Sequence, residues 1–352
     1  MSGREDRLTS LDGLRGLAAL AVVGYHYTTD FVEDYAPPDW VGIDLAYGRF
    51  GVTLFFIISG FVITMTLEHT RSAGDYLVSR FARLYPAYWI AVLVTFVVVT
   101  ALGLPNWQRS VPDLLVNLTM LQSFVGRPDI DQVYWTLAFE LTFYVLMLGI
   151  WLSPLRSRLV PVLWAWLAIV LLYEWLEPEL PTLAARVWRK LMVLKFAHLF
   201  IAGIALRQIH LHGPSWSRLA LLAACVAAQA LHPELAPMWT TAALLGLVAL
   251  AVAGWLPALS WRPLLFLGTI SYTLYLAHQH MGYAVLLRLW HAGVPPEAAV
   301  LLTMAAAVAM AFAYTRLVER PALRFIRERW AQHRESRKSD RDVLSAPAPR
   351  PG

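Results

Sequence analysis

Three ionisable side chains, Asp12, Arg15 and His26, interrupt the first apolar stretch of the chain. Arg15 and His26 are eleven residues apart, which in an α-helix places them on one face, about 16 Å apart along the axis. Asp12, one turn before Arg15, shares that face. Because a charge at the centre of a bilayer costs on the order of 3 kcal/mol, Arg15 should face a polar interior rather than lipid. The structural alternative is that Asp12 and Arg15 pair near the membrane surface and His26 is a hydrogen-bonded core residue.

A second polar stripe follows Trp135 in another apolar segment. Thr136, Glu140 and Tyr144 are spaced four residues apart, so they lie on one face of a helix. An acid inside an apolar helix is unfavourable unless it is protonated or paired. Glu140 is therefore a candidate functional residue, and the alternative is a structural salt bridge to Arg15.

Arg80 and Arg83 stand one helical turn apart between two apolar segments, so both guanidinium groups can point the same way. Paired arginines at a membrane mouth suit phosphate groups, which they bind with two parallel hydrogen bonds. The alternative is the ordinary excess of basic residues on the cytoplasmic side of a membrane protein.

Other candidates lie in two further segments. Ser59 precedes Gly60, and such a pair usually allows close helix packing, although Ser59 could also hold a substrate. Ser271 is followed by three side chains at intervals of three residues, and all of these could line a cavity. The alternative for the two tyrosines is an aromatic belt at the membrane interface. Those three are Tyr272, Tyr275 and His278.

The composition is that of a membrane protein. Hydrophobic residues make up 58% and charged residues 15%, whereas soluble domains have about 25% charged residues; mean hydropathy is +0.53. The one cysteine, Cys225, allows neither an intrachain disulfide nor a cysteine metal site, and no histidine spacing indicates a metal. We predict an all-α, polytopic integral membrane protein with about ten transmembrane helices. The apolar segments lie near 10–31, 50–68, 85–104, 133–152, 159–177, 191–207, 218–232, 238–256, 264–287 and 297–317.

The distribution of charge predicts the orientation. With the N-terminus inside, the inner segments and the arginine-rich tail hold most of the basic residues, so both termini are expected to be cytoplasmic. Residues 1–321 form one transmembrane domain, and Pro321 is expected to end its last helix. Residues 322–334 predict a basic amphipathic helix on the inner leaflet, followed by a disordered tail over 335–352. The net charge of +5 therefore indicates membrane lipid rather than nucleic acid as partner.

Seven short motifs in order carry a family resemblance. They are Leu11-Asp12-Gly13-Leu14-Arg15-Gly16, the pair Arg15 and His26, Gly51-Val52 leading to Phe55-Phe56 and Ser59-Gly60, Arg80 to Pro86, Trp135 to Glu140, Ser271-Tyr272 to His278, and Glu319-Arg320-Pro321. Over about residues 8 to 321 the chain resembles the acyltransferase-3 family. These are membrane O-acyltransferases that modify bacterial surface polysaccharides, Nod factors and some macrolide antibiotics.

The resemblance implies an acyl-CoA donor, most often acetyl-CoA, that enters from the cytoplasm, and no metal. It implies a hydroxyl-bearing glycan or small-molecule acceptor and a location in the bacterial inner membrane. The family's arginine–histidine pair maps to Arg15 and His26, and its acidic residue maps to Glu140. Its first-loop arginines map to Arg80 and Arg83, and we group Tyr85 of the same motif with them as donor-binding.

These residue types suit O-acylation. A histidine can take the proton of a hydroxyl group as that hydroxyl attacks a thioester. An arginine can stabilise developing negative charge, and a carboxylate can orient the imidazole.

A transporter whose permeation path contains Arg15, Glu140 and His26 is the alternative. The enzyme is favoured because a sugar carrier has no use for a phosphate site at Arg80 and Arg83, and because no inverted repeat is visible. A purely structural role is disfavoured because burying three ionisable groups costs free energy that a scaffold does not need to spend. The acceptor stays open among polysaccharide, peptidoglycan sugar, lipid-linked glycan and antibiotic.

Overall fold

A computed structural model describes residues 8–37, 40–176 and 190–344, with the backbone alone over 337–344. These residues form helices and connecting turns, and no strand occurs among them. The prediction of an all-α fold is thus confirmed. The α-helices are α1 Thr9–Tyr25, α2 Phe31–Tyr35, α3 Gly51–Glu68, α4 Ala73–Leu102, α5 Val111–Asn117, α6 Trp135–Leu152, α7 Leu159–Leu176, α8 Leu194–His212, α9 Trp216–Ala228, α10 Met238–Val252, α11 Arg262–Ala277, α12 Gln279–His291, α13 Pro296–Tyr314 and α14 Arg320–Leu344.

Five helical stretches of the described chain are long and apolar enough to cross a membrane. They are Ala46–Glu68, Ala73–Leu102, Gln132–Leu152, Pro154–Leu176 and Pro296–Ser336. Two other predicted spans form shorter apolar helices, Trp216–Leu231 and Met238–Val252, whereas a crossing needs about 20 residues. The ninth predicted segment, 264–287, is not one helix but breaks at His278 into α11 and α12. The count of about ten crossings therefore stays a prediction.

Glycines bring two helix pairs into close contact. On α11, a Cβ atom added at Gly268 would lie 2.1 Å from the carbonyl oxygen of Asp12 on α1. On α3 and α8, Gly60 and Gly203 face each other's backbones in the same manner. Small residues allow such approach where lipid gives no hydrophobic drive for helix association. Ser59, beside Gly60, points away from this contact and into a cavity described below.

The end of the chain differs from the expectation. Pro321 does not end the last helix, because α13 continues through a π-helical turn, Thr315–Glu319, into α14. The amide of Arg320 donates to the carbonyl of Thr315, five residues back, and this wider turn accommodates the missing amide of Pro321. Helix α14 extends as far as Leu344, beyond the predicted end at residue 334, and residues 345–352 lie outside the described residues.

The last helix is tied to the start of α4. The Trp330 indole nitrogen donates to Asp75 over 2.7 Å, and Arg334 donates to the same carboxylate over 3.1 Å. We call this side of the molecule the inner side, and the side where α3 begins the outer side.

The α3–α8 contact yields a stability prediction. Gly60→Ala and Gly203→Ala each place a Cβ within about 2 Å of a backbone carbonyl oxygen, so each should lower the free energy of unfolding by about 1–3 kcal/mol. Gly246→Ala in α10 meets no atom within 4 Å and should be neutral or stabilising. Thermal unfolding in detergent measures all three. Equal melting temperatures would contradict the described packing of α3 on α8.

Candidate functional site

A cavity of about 80 Å³ lies between α1, α3, α4, α6 and α11, towards the inner side, and we call it the inner cavity. It brings together polar side chains that are far apart in the sequence. The wall between them is apolar and includes Val52, Phe55 and Phe56. The polar lining consists of Arg15, Ser59, Arg80, Arg83, Thr136, Glu140, Tyr144, Ser271, Tyr272 and Tyr275.

Arg15 reaches this cavity from α1. Its side chain is partly buried, and no hydrogen bond or ion pair holds its guanidinium group among residues 8–37, 40–176 and 190–344. A guanidinium group without a protein partner, inside an apolar bundle, is available to an anionic or polar ligand.

The two arginines of α4 differ in their surroundings. Arg83 forms an ion pair with Glu319, which is buried in the π-helical turn after α13, and it also covers the ring of Tyr272. Arg80 has no acidic partner in the described chain; its guanidinium lies 5.6 Å from the ring centre of Tyr144, and its Nε atom is unpaired. Arg80 is therefore the arginine of the pair whose charge has no acidic partner in the described chain. The sequence did not identify Glu319 as a partner of Arg83, although its position beside Pro321 marks it.

Glu140 lies in the inner cavity as part of the predicted stripe. Its carboxylate accepts a hydrogen bond from Tyr144, and Thr136 bonds Tyr275 over 2.9 Å. Tyr144 is thus the hydrogen-bond partner that the described residues provide for Glu140. Neither the expected orientation of His26 by this acid nor a direct pair with Arg15 occurs there.

His26 lines a second cavity, of about 270 Å³, which we call the outer cavity. Val52, Phe56 and Tyr275 line both cavities and so form the wall between them. The side chains of Arg15 and His26 share the face of α1 that the spacing predicts, but each belongs to a different cavity.

A pair of histidines fixes the proton positions around His26. The Nδ1 atom of His278 lies 2.9 Å from the carbonyl oxygen of Tyr275, and the Nδ1 atom of His26 lies 2.9 Å from that of Val22. A carbonyl only accepts, so both Nδ1 atoms carry protons. The Nε2 atom of His278, 3.0 Å from Nδ1 of His26, then accepts from it. In the neutral imidazole of His26, the Nε2 atom then carries no proton and can accept one in the outer cavity.

Asp30 is the acid closest to that nitrogen. Its Oδ2 atom lies 4.0 Å from Nε2 of His26, at the end of the π-helical turn His26–Asp30. Asp30 also accepts hydrogen bonds from Tyr25, Tyr283 and Gln279. Sequence reasoning missed this residue, although its spacing of four from His26 is a usable signal.

The remaining predicted residues lie elsewhere. Trp135 lines the outer cavity, and His278 is fully buried behind His26 rather than lining a cavity. Tyr85 lines neither cavity, because it follows Arg83 by two residues and so lies on nearly the opposite face of α4. Its hydroxyl group donates to the backbone carbonyl of Thr119 over 3.1 Å. Asp12 lies below the inner cavity, where its backbone meets Gly268.

Comparison with known proteins finds acyltransferases. The acyltransferase-3 family model, described as an acyltransferase domain, matches residues 8–316. The chain is 28% identical to acyltransferase MdmB of Streptomyces mycarofaciens over 99% of this chain and 97% of that protein. It is 29% identical to nodulation protein 10 of Rhizobium leguminosarum bv. viciae over 40% of this chain and 44% of that protein.

A further relative is larger. Peptidoglycan O-acetyltransferase OatA of Listeria monocytogenes is 26% identical over 39% of this chain, and the match spans 23% of that protein. No solved structure matches the chain.

The ion pair between Arg83 and Glu319 can be tested as a structural element. Glu319→Gln should lower the free energy of unfolding by about 3 kcal/mol, because it leaves Arg83 half-buried without its counter-charge. Arg80→Gln should cost about 1 kcal/mol, since it removes contacts with aromatic rings and a 3.3 Å hydrogen bond to Ser79 but no ion pair. The double variant Arg83→Gln/Glu319→Gln should be less unstable than the sum of its single changes. Additive effects in thermal unfolding would exclude the pair.

Proposed function

The chain belongs to the acyltransferase-3 family, and we propose that it moves an acyl group, by preference acetyl, from acyl-CoA to a hydroxyl group of a carbohydrate or related small-molecule acceptor. The observation that carries this proposal is the arrangement of two cavities on either side of one wall. One cavity holds free cationic groups, and the other holds a histidine with an unprotonated nitrogen. A donor and an acceptor that approach from opposite sides require such an arrangement.

The inner cavity suits the donor. Acyl-CoA carries phosphate groups, and Arg80 offers a guanidinium with an unpaired Nε atom at the mouth of this cavity. Deeper inside, the unpartnered Arg15 can hold polar groups of the CoA arm or stabilise the thioester oxygen as negative charge develops. The narrow apolar wall of Val52, Phe56 and Tyr275 marks where the thioester would meet the acceptor.

The outer cavity suits the acceptor. A hydroxyl group placed against Nε2 of His26 can give up its proton as its oxygen attacks the thioester carbonyl. The new ester forms as the carbon–sulfur bond breaks, and His26 returns the proton to the CoA thiolate, so CoA leaves as the thiol. Asp30 stabilises the imidazolium that exists between these two steps.

The setting follows from the same polarity. Arg80 and the arginine-rich α14 lie on the inner side, which we propose to be cytoplasmic, with both termini there and the protein in the inner membrane. A carrier would also have cavities on both sides, but it would release no CoA. Formation of free CoA thiol from acetyl-CoA by the purified protein, with candidate acceptors present, separates the two functions.

Arg80 provides a test of the donor site. Arg80→Gln should weaken acyl-CoA binding about tenfold at low salt, the usual contribution of a charged hydrogen bond, and leave acceptor affinity unchanged. Arg262→Gln removes a charge from an exposed position outside the cavity and serves as control. Isothermal titration with acetyl-CoA measures both. Equal donor affinity in wild type and Arg80→Gln would exclude a phosphate-binding role.

His26 provides a test of the chemistry. His26→Ala should lower turnover by about 10²–10⁴-fold while expression and acyl-CoA binding remain, because it removes the proton acceptor alone. His210→Ala, at an exposed position on α8, is the matched control and should retain full turnover. Full activity in His26→Ala would refute the mechanism.

The same variant distinguishes two routes. The hydroxyl group can attack the thioester directly, or His26 can first take the acyl group on Nε2 and pass it on. The direct route, which we favour, needs no hydrolysis-prone intermediate. Radiolabel from acyl-CoA retained on wild-type protein but not on His26→Ala, together with ping-pong kinetics, would establish the second route instead.

A further inference from the structure

A third cavity, unrelated to the transfer site, opens on the inner side. It lies where α3, α6 and α8 end and where α7 and α9 begin, and it measures about 670 Å³. Three arginines line it: Arg156 and Arg158 from the turn between α6 and α7, and Arg218 from the first turn of α9. We call it the basic cavity. α3 separates it from the inner cavity, because Ser59, Val62 and Ile63 line one while Thr64, Leu67 and Glu68 line the other.

The charge of the basic cavity is not balanced by the protein. Glu68 is the acid in its described lining, and Arg207 already holds that carboxylate through Nε at 3.1 Å and Nη2 at 2.5 Å. The positive charges of Arg156, Arg158 and Arg218 therefore have no counter-charge within the described part of the cavity. Such an excess attracts an anionic ligand.

The donors of these arginines are also free. The side chains of Arg156 and Arg158 form no hydrogen bond or ion pair with any residue that the structure describes. Arg218 donates through Nη1 to the carbonyl of Gly213 over 2.8 Å, whereas its buried Nε atom has no partner. Guanidinium groups with free donors match the oxygen atoms of a phosphate group.

Most of the remaining wall is apolar, although Thr64, Ser157, Gln208 and His212 also line it. Met147, Ile150 and Trp151 of α6 line the cavity. Leu152, which follows the lining residue Trp151 in the sequence, is 62% exposed, and Trp216, two residues before Arg218, is 90% exposed. Exposed apolar side chains of this size lie against hydrocarbon in a membrane protein, and tryptophan prefers the level of the lipid headgroups.

We propose that the basic cavity binds the headgroup of an anionic phospholipid, with the three arginines on the phosphate and the apolar wall along the acyl chains. A basic pocket between helices on the cytoplasmic side is a suitable site for such lipids. A soluble phosphate compound would use the arginines but would leave the apolar wall exposed. This inference does not depend on the acyl-transfer reaction.

The experiment compares lipids that differ in charge. Purified protein in detergent is titrated with phosphatidylglycerol or phosphatidylcholine, and bound lipid is counted by native mass spectrometry. Arg156→Gln/Arg158→Gln should weaken phosphatidylglycerol binding about 30-fold, because each basic side chain near anionic lipid contributes a similar amount to the binding free energy and the variant removes two. Phosphatidylcholine binding should not change. Because both side chains are exposed and unpaired, the double variant should fold, and Arg262→Gln should bind phosphatidylglycerol as wild type does.

Two further measurements distinguish a lipid from a soluble ligand and exclude misfolding as the cause of weaker binding. Arg218→Gln should weaken phosphatidylglycerol binding about fivefold, the contribution of one basic side chain, and glycerol 3-phosphate, which carries the phosphate without acyl chains, should not displace the lipid. Equal phosphatidylglycerol binding in wild type and both variants would overturn the proposal. Displacement by glycerol 3-phosphate, by inorganic phosphate or by CoA at comparable concentration would overturn it too, and would assign the cavity to a soluble phosphate compound.

Discussion

The free-energy cost of a charged group in an apolar bundle determines how α1 is oriented. Arg15 and His26 share one face of this helix, and that face must meet polar surroundings rather than lipid. Gly268 allows α11 to approach the face closely enough for Tyr275 to line both cavities and for His278 to contact His26. The two cavities and the wall between them thus depend on one helix that cannot turn its polar side outward.

Two departures from regular helix geometry act at this point. The π-helical turn His26–Asp30 places the acid within 4.0 Å of the histidine, and the break at His278 ends α11 where its imidazole meets His26. Single π-helical turns inside α-helices occur frequently at functional sites. The second such turn, Thr315–Glu319, supplies the acid that holds Arg83. In both turns the extra residue directs a carboxylate towards a basic side chain.

The parts of this arrangement that follow a local period could be predicted from the sequence. The stripe of Thr136, Glu140 and Tyr144 and the common face of Arg15 and His26 require only the geometry of a helix. The partner of Arg83 and the two separate cavities could not be predicted, because they depend on contacts between helices more than two hundred residues apart. The path of the chain through Pro321 was mispredicted, since a π-helical turn can accept a proline that an α-helix interior excludes.

The wall of Val52, Phe56 and Tyr275 has a chemical consequence. A thioester is open to attack by water as well as by an alcohol, and an unprotonated histidine nitrogen would assist either nucleophile. In the reaction that we propose, that nitrogen and the arginines proposed to hold the phosphate groups lie in different cavities. This separation would keep water activated by His26 away from a donor that has not yet reached the wall. Because Tyr275 is held by Thr136 over 2.9 Å and by the carbonyl of Val133 over 3.2 Å, this separation is built into α6 and α11 themselves. In the proposed reaction, this wall would therefore favour transfer over hydrolysis.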